Sequence, residues 1–455
     1  MSKPASAGRS WAVGVVLAAF VGCWPMTVSA NGYEQLVGHG GPVKGAAVSG
    51  DGRYALTASF DYTLGLWDLD SGDQVRWLDA HEAAANAAAF LPDGRRAISG
   101  GDDFDLVLWD LETGGALQRL EGHKGKVLSV AVSPDGALAA SASWDGSAGL
   151  WSLETGELLN LFDGHNAGVN DVAFSPDGAL LYTASTDGSL RSWRLSDGEL
   201  IRVEASHGFG INLITVDPAG AWIAYGSTDG VVRILSTQTG EELAQLTGDR
   251  RPILGLALSP DAKTLAFGDG EGFITIVATK DWRIVRDFRA AARGPIWSLA
   301  FADNESLIAS GLDDYAAIWP VGFEGDPLFA EDARRFHVDP DEVSNGERQF
   351  ARKCSVCHTL EPDGKRRAGP TLFGVFGRKA GTLDGYNYSE ALLGATITWS
   401  PETLDKLFDI GPDYYTPGSK MPMQRIVDPA DRQDLIEFLR TATAPPQQQK
   451  TGENQ

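Results

Sequence analysis

Short runs in which apolar residues alternate with small or polar ones fill the first two-thirds of the chain. The runs 127–132 (VLSVAV) and 138–143 (LAASAS) are representative, and the turn sequence Ser-Pro-Asp-Gly at 133–136 separates them. Alternation with a period of two predicts β-strands with one buried face, and turn residues between such runs predict antiparallel neighbours. This part of the chain is therefore predicted to be all-β.

The strand pattern belongs to a repeat with a period of 42 residues. Every unit carries an acidic residue, and most units carry a histidine before it and a tryptophan six positions after it. Repeats of about 40–50 residues with four short strands are typical of sheets arranged radially as blades. The marker residues are His39, His81, His123, His165 and His207; Asp61, Asp103, Asp145, Asp187, Asp229, Glu271 and Asp313; and Trp67, Trp109, Trp151 and Trp193.

These residues resemble the WD-repeat β-propellers, because Gly38-His39 and Trp67-Asp68 match the dipeptides that mark a blade in that family. The resemblance implies seven blades over residues 31–325, with residues 31–37 as the outer strand of the last blade. It also implies a buried tetrad of His, Ser or Thr, Asp and Trp, while blades five to seven, which lack His or Trp, rely on apolar contacts. The tetrads expected to be complete are His39/Ser59/Asp61/Trp67, His123/Ser143/Asp145/Trp151 and His165/Ser185/Asp187/Trp193.

A different pattern begins after an acidic, proline-bearing connector at 326–342. There, Cys354-Ser355-Val356-Cys357-His358 has the spacing of covalent haem attachment. Two thiols three positions apart can each form a thioether to one porphyrin edge, while the adjacent imidazole turns onto the iron. Helical spacing on both sides of the motif, at 345–354 and 431–441, predicts an α-helical domain.

This helical domain resembles the class I cytochromes c, and in particular the mitochondrial-type subfamily. The resemblance implies an all-α fold in which the first and last helices cross at a small residue. Gly346 is the candidate for that contact, with the aromatic ring of Phe350 beside it. The segments that match in family order are 368–379 (AGPTLFGVFGRK), 385–389 (GYNYS), 397–399 (ITW) and 415–422 (YTPGSKMP).

The same resemblance implies which residues hold one haem c. Cys354 and Cys357 would carry its thioethers, and His358 and Met421 would bind its iron. The carbonyl of Pro370 would accept a hydrogen bond from His358 Nδ1 and so fix the imidazole tautomer.

Further contacts of the haem are also implied by the resemblance. Arg378, Tyr388 and Trp399 would donate to a buried propionate, which needs such partners to stay ionised in an apolar pocket. The alternative is that Tyr388 and Trp399, together with Tyr386, are ordinary aromatic core residues.

Two methionines, Met421 and Met423, lie close enough in sequence to compete for the iron. The Pro-Gly-Ser-Lys run before Met421 matches the ligand loop of the subfamily, so the resemblance favours Met421. The chain departs from the subfamily at Leu407, where a Tyr is usual near the methionine sulfur, and at Leu392, where an Asn is frequent. Both changes remove polar groups close to the haem.

Residues 1–30 have the features of a secretory signal peptide. Lys3 and Arg9 precede a short apolar stretch, and Val28-Ser29-Ala30 is a small-residue cleavage site. The stretch is shorter than a membrane span requires, so no transmembrane span is expected in the mature chain. A lipoprotein signal ending at Cys23 is an alternative, although Phe20 stands where such signals have Leu. We therefore expect a periplasmic protein.

The chain is strongly acidic, with 38 Lys and Arg residues, 61 Asp and Glu residues and a formal net charge of −23. Residues 31–325 carry −21 of this charge, whereas residues 343–443 are neutral before haem is added. Binding to phosphates requires basic surfaces, so this composition argues against nucleic acid as a partner. The acidic surface serves either solubility or the docking of a protein.

The sequence therefore predicts a multidomain, exported electron carrier with a redox protein partner, and not an enzyme, because no catalytic constellation is visible. A propeller scaffold or redox sensor, whose partner binding responds to the haem, is the alternative. The predicted parts are a signal peptide (1–30), a seven-bladed propeller (31–325), an acidic linker (326–342), a cytochrome c domain (343–443) and a disordered tail (444–455).

Overall fold

A computed structural model of the chain describes residues 33–248, 250–292, 294–322, 343–355, 357–362, 368–386, 388–421 and 424–444. The predicted signal peptide and the linker 326–342 lie outside the described residues, as does the tail from residue 445 onward. Met423 lies outside them as well. In the part of the chain that is described, no helix combines the length and the apolar content that a membrane crossing needs.

The β part consists of seven four-stranded antiparallel sheets within the described residues, which confirms the seven-bladed propeller. Blades one to six are each built from four consecutive strands, starting at β2, and blade seven combines the first strand with the last three. The strands are β1 (Glu34–Val37), β2 (Val43–Val48), β3 (Tyr54–Ser59), β4 (Leu64–Asp68), β5 (Gln74–Leu78), β6 (Ala85–Phe90), β7 (Arg96–Gly101), β8 (Leu106–Asp110), β9 (Ala116–Leu120), β10 (Val127–Val132), β11 (Leu138–Ser143), β12 (Ser147–Ser152), β13 (Leu158–Asp163), β14 (Val169–Phe174), β15 (Leu180–Ser185), β16 (Ser189–Arg194), β17 (Leu200–Ser206), β18 (Ile211–Val216), β19 (Trp222–Ser227), β20 (Val232–Ser236), β21 (Glu242–Gln245), β22 (Ile253–Leu258), β23 (Thr264–Asp269), β24 (Phe273–Ala278), β25 (Arg283–Arg289), β26 (Ile296–Phe301), β27 (Ser306–Gly311) and β28 (Tyr315–Pro320).

The first strand closes the ring, as the sequence predicted for residues 31–37. β1 pairs antiparallel with β28, and its register runs from Glu34 opposite Ile318 to Val37 opposite Tyr315. Leu36 on this strand is 1% exposed, so the closure buries apolar surface as well as pairing the backbone. With this pairing the edge of blade seven is covered by a strand of the same chain.

The buried tetrads use a different hydroxyl from the one predicted. In blade one the Nε2 of His39 lies 2.7 Å from Thr57 Oγ1, and the indole N–H of Trp67 donates to the same oxygen at 2.7 Å. Ser59 instead donates to the Pro42 carbonyl and accepts from the amide of Asp61. The predicted members Ser143 and Ser185 are replaced in the same way by Ser141 and Thr183. Blade two has a fourth complete tetrad, His81/Ser99/Asp103/Trp109.

Blade five is not held by apolar contacts alone, so the expectation for it was wrong. His207 Nε2 lies 3.1 Å from the Asp229 carboxylate, and its Nδ1 lies 3.2 Å from the Tyr225 hydroxyl. Tyr225 occupies the place that Thr57 has in blade one, and its longer side chain still supplies a hydroxyl. In blades six and seven the corresponding residues are Phe267 and Ala309, which are apolar and buried.

The described part of residues 343–444 is helical and has its own apolar core. Each long helix begins at a side chain that accepts a backbone N–H: Ser344, Ser400 and Asp428 are the N-caps. The helices are α1 (Asn345–Lys353), α2 (Glu390–Leu393), α3 (Pro401–Ile410), α4 (Pro412–Tyr415) and α5 (Pro429–Ala442).

Helices α1 and α5 cross at Gly346, as predicted. A Cβ on Gly346 would lie 2.1 Å from the carbonyl oxygen of Asp434, so only glycine permits this close approach. Phe350, one turn further along α1, contacts Phe438 of α5 with ring centroids 5.7 Å apart. This crossing places the end of α1, and hence the cysteine motif, against the rest of the core.

Candidate haem site

A cavity of about 1020 Å³, including its open mouth, lies beside the end of α1. Its walls are mainly apolar, which suits a flat porphyrin and excludes water from it. The structure brings all the sequence-predicted site residues to this cavity: Cys354, Cys357, His358, Pro370, Arg378, Tyr388, Trp399 and Met421. Its apolar lining includes Leu372, Val375, Leu392, Leu404, Leu407, Phe408 and Leu439.

The two cysteines lie in a tight turn that continues α1. Cys354 is the C-cap of the helix, and its carbonyl accepts the amide N–H groups of Cys357 at 3.0 Å and His358 at 2.8 Å. Neither thiol takes part in a disulfide, and Cys354 is buried while Cys357 is half-buried. Burial, and to a lesser degree the neighbouring Cys357, raises the pKa of the Cys354 thiol to about 12. The turn thus places two thiols, not joined in a disulfide, at the wall of one apolar cavity.

His358 is oriented by a single strong hydrogen bond. Its Nδ1 lies 2.7 Å from the carbonyl oxygen of Pro370. Burial lowers the pKa of His358, so the imidazole is neutral at neutral pH. Because Nδ1 carries the proton and donates a hydrogen bond to the Pro370 carbonyl, the Nε2 lone pair of the ring is available to a metal.

Gly369 is a site residue that the sequence reasoning did not single out. A Cβ there would lie 2.3 Å from the imidazole carbon Cε1 of His358, so any larger residue would displace the ring. The amide of Gly369 also donates to the Cys357 carbonyl at 2.7 Å. The sequence Ala-Gly-Pro at 368–370 contains this glycine. The need for glycine at this position becomes apparent only when the position of the His358 imidazole is known.

Arg378, Tyr388 and Trp399 lie along one side of the cavity. The guanidinium of Arg378 donates to the carbonyls of Thr371 at 2.7 Å and Phe373 at 3.2 Å, and burial lowers its pKa. The amide of Trp399 donates to the Arg378 carbonyl at 2.9 Å, which joins the two segments. All three side chains are half-buried. Their role as propionate donors stays a prediction.

Met421 lies at the end of a turned loop and is half-buried against the helical core. Gly418 in this loop has φ +79°, and the amide of Ser419 donates to the Thr416 carbonyl at 3.0 Å. These features hold the loop so that Met421 reaches the cavity. Leu407, at the position of the missing Tyr, is 4% exposed and lines the same wall.

A residue of the propeller, Tyr62, also lines this cavity, which the sequence reasoning missed. Its hydroxyl donates to the carbonyl of Lys420 at 2.9 Å. Tyr62 is buried with Ala84 and Ala368, and Cys357 packs against the same group. The cavity is therefore bounded by both domains.

Comparison with known proteins supports both the propeller and the cytochrome domain. Family models described as "IFT122 first beta-propeller" and "WD domain, G-beta repeat" match residues 85–326 and 33–68, and one described as "Cytochrome c" matches residues 343–443. The chain is 40% identical over 105 residues to cytochrome c of Sesamum indicum, spanning 23% of this chain and 94% of that protein. The chain belongs to the cytochrome c family.

Other cytochromes c are similarly related. The chain is 41% identical over 103 residues to cytochrome c of Chlamydomonas reinhardtii, and 37% identical over 102 residues to that of Gibberella zeae. These alignments span 23% and 22% of this chain, and 91% and 95% of those proteins. The C-terminal domain is thus a cytochrome c with a covalently attached haem c, joined to a WD-repeat propeller.

The chemistry of the cavity fits this cofactor. The apolar cavity is lined by two thiols that form no disulfide, by a neutral imidazole with one nitrogen already hydrogen-bonded, and by a thioether. The propeller histidines serve another purpose, because each pairs with an aspartate of its own blade. Among the described residues there is no cluster of three or more His, Cys, Asp or Glu that could hold a metal ion.

Proposed function

We propose that this cytochrome c is an exported single-electron carrier in which the propeller docks a protein partner. Membership of the cytochrome c family supports an electron-transfer haem protein rather than an enzyme, and the WD repeats support a module for protein interaction. Export, the docking role and the individual ligand assignments are our proposals. The ligand assignments are supported by the one cavity that His358, Met421 and both cysteines line. Export is supported by the signal-like pattern of residues 1–30, and docking by the WD repeats.

When bound, the haem supplies an iron that takes up and releases one electron. Cys354 and Cys357 anchor the group covalently, and His358 offers Nε2 while Pro370 holds its other nitrogen. The thioether of Met421 would be the second protein ligand of the iron. Apolar side chains such as Leu407 and Phe408 keep water out, so this site favours electron transfer over reactions that need an open position.

Spectroscopy of two methionine variants tests the ligand assignment. We expect a low-spin haem with a weak ferric band near the red end of the spectrum, which Met421→Ala abolishes and Met423→Ala retains. Met423→Ala is the matched control because it removes the same side chain two positions away. Loss of the band in Met423→Ala instead would show that the assignment is wrong.

Rapid mixing with reduced periplasmic electron donors tests the function itself. We expect reduction at rates that sustain turnover, with the second-order rate falling as salt rises if the acidic propeller attracts a basic donor. The alternative, a redox sensor, is favoured by the contact of Tyr62 with the haem cavity. Partner affinity that changes with the oxidation state, without useful electron-transfer rates, would favour the sensor.

Cell fractionation and N-terminal mass analysis test the proposed export. We expect a periplasmic protein whose mature chain begins at Asn31. A Cys23→Ser variant serves as control for the lipoprotein alternative, because it blocks lipid attachment and leaves ordinary cleavage unchanged. Membrane-bound protein that becomes soluble in this variant would contradict the cleavage site that we propose.

A further inference from the structure

Tyr62 lies in the turn between β3 and β4 of blade one and is the one propeller residue among those described that line the haem cavity. Its side chain is 8% exposed. Its hydroxyl donates to the carbonyl of Lys420, the residue immediately before Met421. A single propeller side chain is thus bonded to the loop that carries the proposed iron ligand.

The backbone at this position favours glycine. Tyr62 has φ +73°, a left-handed conformation in which a Cβ is strained, and Phe104 has φ +74° at the same place in blade two. Blades three to six have glycine there, with similar positive φ angles: Gly146, Gly188, Gly230 and Gly272. A non-glycine residue persists in such a conformation when its surroundings hold it, and such residues concentrate at functional sites.

The surroundings of Tyr62 differ from those of its counterpart in blade two. Tyr62 forms a buried group with Ala84 and Ala368, and Cys357 and Phe60 pack against that group. Phe104 has the same turn conformation but is 41% exposed. The inter-domain burial at this turn position therefore distinguishes blade one from blade two.

We propose that Tyr62 is a positioning residue of the haem site, which completes the wall of the cavity and fixes the loop before Met421. The proposal deepens the proposed function and rests on Met421 as the iron ligand. The hydroxyl restrains the Lys420 carbonyl, so the thioether stays in place. The ring covers the side of the cavity near Cys357, and exclusion of water there disfavours the more highly charged ferric state.

Replacing Tyr62 by the residue that most other blades have tests this proposal. In Tyr62→Gly the propeller should unfold at an unchanged or higher temperature, because the strain is removed. Imidazole should bind the ferric protein about tenfold more tightly, since it displaces a less restrained thioether. A tenfold shift of the ferric–ferrous equilibrium toward the ferric form, which lowers the midpoint potential by about 59 mV, is also expected.

Phe104→Gly is the matched control, with the same change of backbone in the next blade, and it should alter neither imidazole affinity nor potential. Tyr62→Phe keeps the ring and removes the hydrogen bond, so imidazole should bind about threefold more tightly with little change of potential. Because this variant keeps the ring, it also tests the proposal if Tyr62→Gly fails to fold. An imidazole affinity in Tyr62→Phe equal to that of the unchanged protein would overturn the positioning role.

Two further results would overturn the proposal. One is a folded Tyr62→Gly protein with unaltered potential and imidazole affinity, which would make the contact purely structural. The other is an equal response of Phe104→Gly, which would make the effect a general consequence of loosening the propeller. Failure of the Met421 assignment on which the proposal rests is distinguishable, because the ferric methionine band would then survive in Met421→Ala or be absent from the unchanged protein.

Discussion

At the scale of single residues, one buried hydroxyl in each complete tetrad joins two other polar side chains. Thr57 Oγ1 accepts from the indole of Trp67 and meets the Nε2 of His39, while Asp61 holds the other imidazole nitrogen at 3.0 Å. Each of these groups is almost fully buried. The loss of one member leaves its neighbours without partners in a place that water does not reach, which is costly.

We therefore expect Thr57→Val to lower the free energy of unfolding of the propeller by about 3 kcal/mol, because it keeps the shape and leaves two buried polar groups unpaired. Chemical denaturation followed by tryptophan fluorescence measures the change. Thr239→Val, at an exposed turn, is the control and should stay within about 0.5 kcal/mol of the unchanged protein. Equal effects of the two substitutions would contradict the tetrad assignment.

Asp61 makes blade one sensitive to acid. Burial alone would raise the pKa of this carboxyl, but the charge and hydrogen bond of His39, with hydrogen bonds from Thr63 and Gly40, hold it at about 2. The folded pKa is below the unfolded value of about 3.9, so the stabilisation is complete above about pH 4 and is lost as the pH falls toward 2. We expect Asp61→Asn to weaken the loss of stability between pH 4 and pH 2.

Urea unfolding at several pH values in that window measures this effect, which is roughly 2 kcal/mol for a shift of this size. Asp163→Asn, which changes an exposed carboxylate, is the control and should keep the acid dependence of the unchanged protein. A steeper acid dependence in Asp61→Asn than in the unchanged protein would refute the prediction.

Residue identities of this kind were only partly predictable. Spacing of 42 residues located the His, Asp and Trp of each tetrad, but Thr57 and Ser59 lie two positions apart on one strand and point to the same face. Which of the two meets the imidazole depends on how far the His and Trp side chains reach across neighbouring strands. Tyr225 was missed for the same reason. Only the folded structure shows that its phenol hydroxyl meets the histidine as the Thr hydroxyl does in blade one.

At the scale of secondary structure elements, the helices of the cytochrome domain meet through small residues and apolar faces. Gly346 lets α1 approach the backbone of α5, and Leu435 and Leu439 of α5 are almost fully buried. The elements themselves were predictable, since helical periodicity and the β alternation are local patterns. The role of helix α3, by contrast, is visible only in three dimensions, where Leu404, Leu407 and Phe408 line the haem cavity.

A larger residue at the crossing should separate the two helices. Gly346→Ala places a methyl group where only 2.1 Å is available to the Asp434 oxygen, so we expect a loss of about 2 kcal/mol in the stability of the cytochrome domain. Thermal unfolding followed by the Soret band measures it. Arg352→Ala on the exposed side of α1 should have little effect. A similar loss of stability in this variant would show that any substitution in α1 destabilises the domain, whether or not it lies at the crossing.

At the scale of the whole molecule, two separate apolar cores are joined where Tyr62 enters the haem cavity. The propeller clusters lie between its blades, and the cytochrome cluster consists of its own helices. One mixed cluster, formed by Tyr62, Ala84 and Ala368, connects them among the described residues. This contact was not predictable from sequence, because the repeat identifies the turn at position 62 but not what covers it.

The two cores should therefore respond separately to loss of the haem. In a Cys354→Ala/Cys357→Ala double variant we expect no covalent haem, measured as the pyridine haemochrome after acid–acetone extraction, because neither thioether can form. The propeller should keep its β-sheet circular dichroism, since its blades are complete without the haem. A Ser355→Ala variant, between the cysteines, should keep the covalent haem. Collapse of both domains in the double variant would contradict separate cores.

The pairing of β1 with β28 sets an order of events during folding. Glu34 pairs with Ile318, so β1, the first propeller strand to be synthesised, stays unpaired until almost the whole propeller has been made. Contacts so distant in sequence are slow to form, and until then the side chain of Leu36 has no place in the last blade. Ring closure is thus the slowest step expected in propeller folding. A chain in which β1 has not yet paired leaves the edge of β28 exposed.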